Sequence, residues 1–173
     1  IRPAMQAKSV EIYVFDLRGL LLLCCFKRSI LMVRILIAIV AVIVGLFIGG
    51  TVNLGTGILN VLIFPMPDGV SWNDSEAINE WIKGLPQSAF ILVLVAHVSQ
   101  AFVGGFVAAL IAKRNMMCVA MAVGVLSLAA GIMNLLMIPA PSWLWVEMPL
   151  YLVAAWVAGK LVMRMRSNNS TIE

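Results

Sequence analysis

Charge is scarce in this chain: only 12% of its 173 residues are Asp, Glu, Lys or Arg, against about a quarter in a soluble domain. Histidine occurs once, at His97, and cysteine three times. One histidine with one nearby carboxylate is too few for a metal centre within a single chain, and a haem held by two histidines would need two copies sharing His97. Cys24 and Cys25 are adjacent and Cys118 stands alone, which argues against a disulfide framework. There is no phosphate-binding glycine loop, no Cys-x-x-Cys and no groove-reading module for nucleic acid. Ser99 lies two positions from His97, on a different face of a helix, so no nucleophile–base pair is implied. No catalytic residues, no metal, no cofactor and no nucleic-acid partner are expected.

What the chain does have is apolar surface. Hydrophobic residues make up 62% of it and its mean hydropathy is +1.04, a surplus that must face lipid. Residues 35–64 carry no charge at all. Thirty helical residues would reach about 45 Å, beyond a hydrocarbon core of about 30 Å, so this span is expected to tilt, or to kink at Gly49, Gly50, Gly55 and Gly57. Four spans are expected, at about 33–64, 88–112, 116–138 and 143–163, within a membrane domain of 32–166 followed by a polar tail, 167–173. Residues 1–31 read as an extension that adds nothing to the bundle. Their apolar run Leu20–Phe26 is too short to span, and Met32 looks like a natural start. Eleven of the twelve Lys and Arg residues flank one side of these spans, and only Lys83 lies on the other. The excess of positive charge predicts both termini and the 113–115 loop in the cytoplasm.

One phrase occurs twice. GILNVLIFPMP (57–67) and GIMNLLMIPAP (131–141) align with a shift of 74 positions, each closing an apolar run with asparagine, four apolar residues and a Pro-x-Pro stop: Pro65 and Pro67, then Pro139 and Pro141. The fold expected is therefore all-α, a four-helix transmembrane bundle built from two duplicated helical hairpins. The first outer loop is expected to carry a short amphipathic helix. There Asn73 and Glu76 have capping-box spacing, Ile78, Trp81, Ile82 and Leu85 recur at helical period, and Trp72 and Trp81 suit a lipid–water boundary.

Helices in a bilayer associate through close packing and buried polar contacts, and each span has a stripe of small residues for this. Gly45 and Gly49 mark the first, Gly104 the second, Gly124 and Gly131 the third. Polar residues extend the same stripes: Asn53 on the first, His97 (with Gln100 at i+3) on the second, Asn134 on the third, Glu147 and Tyr151 on the fourth. Polar groups facing lipid are costly, so these are expected to point inward as one buried cluster. Glu147 and Asn134 are placed near the mouth, His97 and Asn53 deeper. Asn60 and Asn134 are expected to bond to backbone freed by the Pro-x-Pro stops.

The stretches Val52-Asn53-Leu54-Gly55, Pro65-Met66-Pro67-Asp68-Gly69, Ala96-His97 with Gly104, and Gly131 to Asn134 through Pro139-Ala140-Pro141-Ser142-Trp143 resemble an uncharacterised family of small bacterial four-span inner-membrane proteins. The likeness covers about Met32 to Val162. That family tends to carry Asp near the position of Glu147, so the charge is kept here and the reach is not. The resemblance implies a bacterial inner-membrane location and carries no activity. The function expected first is that of a non-enzymatic accessory or assembly protein. The alternative is a small-solute or proton-coupled carrier or channel using the cluster around His97 and Glu147. The expected partners are the lipid bilayer and, since duplicated hairpins often meet another copy, a homo-oligomer as a further option.

Overall fold

A run without charge, proline or polar interruption has no local reason to leave the helix, and it does not. The computed structural model describes the backbone of residues 2–71 and 73–169, with side chains for 31–71 and 73–168. Trp72, the tail residues 170–173 and the side chains of Cys24 and Cys25 lie outside the described residues. Helix α1 runs unbroken from Arg2 to Ile63. The expected extension is thus helical in continuity with the first span, and the helix passes through Gly49, Gly50, Gly55 and Gly57 without a non-helical residue. The chain divides into two units, Ile1–Ile37 and Ala38–Glu173. The first consists of the N-terminal part of α1. The second is a helical bundle.

Within the second unit, α1 stops ahead of Pro65, whose ring cannot continue it. Pro67 then accepts a hydrogen bond from the Val70 N–H, and Gly69 takes φ +89°, the left-handed third position that a type II turn requires of glycine. Helix α2, Ser75–Lys83, follows. Its N-cap is Asp74 and not Asn73: the Asp74 carboxylate accepts from the Glu76 and Ala77 N–H groups, because the shorter span to N2 and N3 favours the residue one position on. Ile82 and Leu85 pack against Phe90, Leu135 and Leu144, so α2 rests on one end of the bundle, called here the α2 end.

Helices α3 (Gln87–Ala112) and α4 (Met116–Met137) are joined by three residues, two of which, Lys113 and Asn115, take positive φ. The fourth span does not begin as one helix at Trp143. Ser142–Val146 forms a 3-10 turn, and α5 runs from Glu147 to Asn169. Pro149 explains the start: it lacks an N–H and is tolerated only in a helix's first turn. At the other end α5 continues past Met163 and into the first residues of the expected tail, to Asn169, and just before that tail Arg166 Nη2 donates to the Leu110 carbonyl at 2.5 Å. Among the described residues four helices are long and apolar enough to cross a membrane: Leu31–Ile63, Gln87–Ala112, Met116–Met137 and Ser142–Asn168. The protein is a multi-pass membrane bundle, with Phe47, Leu54 and Leu62 of α1 among its exposed apolar side chains.

The helices meet through their small residues. A Cβ on Gly45 would lie 2.5 Å from the Gly104 carbonyl oxygen, and one on Gly49 would lie 2.5 Å from that of Gln100. Gly104 faces Gly45 and Val123 in return, Gly124 faces Ala155, and Gly131 lies under the Tyr151 ring. Away from the α2 end the core is filled by Ala41, Ala108, Ala112, Val119 and Val123, with Ala109, Ala120 and Val162 beside them. Close approach of this kind maximises dispersion contacts, which lipid tails do not supply in an ordered form.

Gly45→Val is expected to lower stability by about 1–3 kcal/mol through overpacking against α3. Gly50→Ala, with open space around its Cβ, is expected to leave the melting temperature unchanged or raise it, since alanine is the better helix former by about 1 kcal/mol. Thermal melts of the two variants in detergent check the contrast.

Candidate functional site

His97 sits ten residues into α3, about 15 Å along its axis, on the stripe that continues through Ala101, Gly104 and Ala108, all fully or nearly fully buried. Along that stripe Ala101 packs against Tyr151 and Ala154 of α5, whereas Gly104 and Ala108 meet Gly45 of α1 and Val123 of α4. Glu147 is the first residue of α5 and is wholly buried, as is Leu144 in the preceding 3-10 turn. The turn folds back onto Phe90 and Leu135, so α5 begins inside the bundle and not at its edge. Glu147 therefore lies at the level of His97, deeper than its place in the sequence indicates. Its Oε2 is 2.9 Å from His97 Nδ1.

Two heavy atoms at that distance need a proton between them. A carboxylate at Nδ1 favours the tautomer protonated there and leaves Nε2 as an acceptor. Nε2 has no hydrogen-bond partner among the described residues, and Glu147 Oε1 is buried with none. Tyr151, one turn beyond Glu147, stacks on the His97 ring with centroids 6.0 Å apart. Its hydroxyl lies over Gly131, where any side chain would collide with it.

These groups surround a cavity of about 210 Å³, lined by Asn53 of α1, His97 and Gln100 of α3, Ser127, Ala130, Gly131 and Asn134 of α4, and Tyr151 of α5. It has room for several waters or one small molecule. The structure thus brings Asn53, His97, Gln100, Asn134 and Tyr151 to one space, with Glu147 behind His97. The side chains of Asn53, Gln100, Ser127 and Asn134 make no hydrogen bond to the protein among the described residues, and Ser127 Oγ is buried.

Three placements differ from the sequence reading. Asn134 lines the cavity, its side chain without a hydrogen bond among the described residues; its backbone carbonyl serves the helix stop, accepting from the Ile138 N–H at 3.1 Å. Asn60 is outside the cavity and donates to the Ala89 carbonyl at 3.2 Å, tying α1 to the first turn of α3. Glu147, placed near the mouth by the sequence, is wholly buried behind the 3-10 turn. Ser127 was legible only as a small residue of the α4 stripe; its position seven residues before Asn134, on the same face, was the signal for a polar wall. Ser127 shares the cavity with His97 but forms no hydrogen bond with it, so the pair is not assembled as nucleophile and base. The bond from Trp143 Nε1 to Gln87 Oε1 at 2.5 Å, which ties the 3-10 turn to the start of α3, has no signature in the sequence. No group of three or more His, Cys, Asp or Glu side chains that could hold a metal occurs among the described residues.

His97→Ala strands a carboxylate in the bundle and is expected to cost about 3 kcal/mol. Glu147→Ala should cost less, and the double variant should lose less than the sum of the singles. The coupling is expected near the about 0.6–1.7 kcal/mol measured between membrane helices. Additive losses in a detergent unfolding series would show that the two side chains do not interact.

No protein-family model, curated protein or solved structure matches the chain, so the chemistry of this cavity is the ground on which a function rests.

Proposed function

We propose that this chain is a non-enzymatic, multi-pass protein of the bacterial inner membrane that binds a small polar solute in a dead-end cavity between its helices. One observation carries this reading: four polar residues, Asn53, Gln100, Ser127 and Asn134, line the same space, and their side chains make no hydrogen bond among the described residues, the Ser127 hydroxyl being buried as well. Polar groups kept only to tie helices together would pair with one another, as His97 and Glu147 do, and for the buried Ser127 hydroxyl an unmet partner is costly. An accessory protein with polar groups for packing alone is therefore the weaker reading.

A site of carrier type fits better than a pore. Beyond Gln100 and Ser127 the bundle is closed by Gly45 against Gly104 and by Ala108, Val119 and Val123, and no polar side chain continues the cavity toward the Lys113–Asn115 loop. The inner-membrane setting is supported by the resemblance above. The excess of Lys and Arg at the termini and in the 113–115 loop supports a cytoplasmic position for them. The α2 end, with the cavity nearest to it, is then the outer end. The twice-used Gly-x-x-Asn and Pro-x-Pro phrase supports an origin by hairpin duplication, since both copies close helices, α1 and α4, ahead of an inter-helix connection.

Two measurements test this. Cysteines introduced within 73–84 are expected to label from outside intact cells and those at 113–115 to stay protected; labelling at 113–115 overturns the orientation. In a thermal-shift series with small polar solutes, at least one is expected to stabilise the native chain and to lose its effect in Ala130→Phe. Ala130 is exposed at the cavity rim, so the variant fills the space with little disturbance of the core. A ligand effect that survives in Ala130→Phe means that binding occurs elsewhere.

A further inference from the structure

The solute reading leaves open what chemistry the cavity selects, and its inventory of charge narrows the answer. No lysine or arginine lines it. The titratable groups facing His97 are Glu147 and Tyr151, both from α5; α1 contributes Asn53, α4 contributes Ser127 and Asn134, and α3 itself contributes Gln100. With both imidazole nitrogens protonated beside the carboxylate, the His97–Glu147 pair is neutral. Without the Nε2 proton, the Nδ1–H still bonded to Oε2, the pair carries one negative charge on a buried carboxylate, one of whose oxygens already lacks a partner, and an uncompensated charge in the bundle interior is strongly unfavourable. The wall otherwise offers acceptors: His97 Nε2 once it has lost its proton, the Ser127 hydroxyl and the amide oxygens of Asn53, Gln100 and Asn134. An anion would meet no cationic side chain there except a histidine already paired with its own carboxylate.

We propose that the cavity binds a small primary ammonium ion, R–NH3+, in exchange for the proton of the His97–Glu147 pair. The inference rests on the solute-binding reading and names its ligand class. The three N–H groups of the ammonium donate to His97 Nε2 and to two of the hydroxyl and amide oxygens around it. Its charge balances Glu147 through the imidazole, an interaction that the low-dielectric surroundings strengthen. Proton and ammonium then compete: the Nε2 proton leaves to bulk solvent as one R–NH3+ enters and donates to the freed Nε2, the Nδ1–H bond to Glu147 being kept, so the net charge of the site is conserved. Nitrogen at His97 favours an N–H donor over an alkali cation, which prefers an all-oxygen shell. Glu147 is a positioning residue in this scheme, since it lies behind His97 and does not line the cavity.

Calorimetric titration of the purified full chain in detergent with methylammonium chloride, potassium chloride, sodium acetate and glycerol, at several pH values, tests the proposal. Methylammonium is expected to bind, with an affinity that rises about tenfold per pH unit over the range in which the pair holds its proton and with about one proton released per ion bound. Acetate and potassium are expected to give no heat above dilution. Glu147→Gln should lose both the binding and the proton release; should that variant not fold, proton release by the native chain decides alone. Methylammonium binding without proton release, or with equal affinity across the pH series, overturns the exchange. Glycerol or acetate binding that Ala130→Phe abolishes, with none by methylammonium, sinks the ammonium class and leaves the solute site standing. Methylammonium binding undiminished in Ala130→Phe overturns both.

Discussion

A bilayer gives helices no hydrophobic reason to associate, and this bundle answers that constraint by bringing backbones together. Gly45 and Gly104 approach so closely that neither could carry a Cβ without displacing the other's carbonyl group. Gly49 of α1 against Gln100 of α3, and Gly124 of α4 against Ala155 of α5, are crowded in the same way. Each contact gains dispersion energy that a larger side chain would forfeit. Since these crossings lie toward the Lys113–Asn115 loop, they seal that part of the bundle. The space left over falls nearer the α2 end, where Gly131 makes room for a tyrosine ring and not for a second backbone.

What fills that end is polar for a reason of its own. His97 and Glu147 could not be buried singly in an apolar bundle; together, 2.9 Å apart, each meets a hydrogen-bonding group of the other. The 3-10 turn before α5 is what brings them to one level. Leu144 is wholly buried on Phe90 and Leu135, and Trp143 is held by Gln87. The turn, α2 and the start of α3 thus form one cover over the pair. The polar cavity beneath that cover and the tight crossings beyond it are two outcomes of the same packing.

Much of this arrangement was legible in the chain before any coordinates. Long runs without charge can only be membrane helices, and Pro65 and Pro139 must end two of them. The stripes through Gly45, Gly104 and Gly124 could be read from spacing alone, because helical period fixes which residues share a face. The same geometry marked His97, Asn53, Asn134, Glu147 and Tyr151 as inward-pointing candidates. It could not give the level of Glu147, which depends on a connection of irregular backbone whose path is set by where Leu144 and Trp143 find partners. Nor could it separate Asn60 from Asn134. The two occupy equivalent places in the repeated phrase, yet one bonds the Ala89 carbonyl and the other faces the cavity.

The sequence by itself determined the number of spans, the proline stops of α1 and α4 and the residues on each inward face, since these follow from hydrophobicity, from proline and from the 3.6-residue period, all of which act locally along one chain. Only the tertiary structure decided which inward faces touch and which stand apart. Whether two helices meet at a glycine or part around a cavity depends on the sizes of side chains from different helices at one depth. The 2.9 Å contact of His97 with Glu147, and the unpaired Asn53, Gln100, Ser127 and Asn134 around the open space beside it, exist because four helices arrive at that depth together, and no single stretch of the chain contains that information.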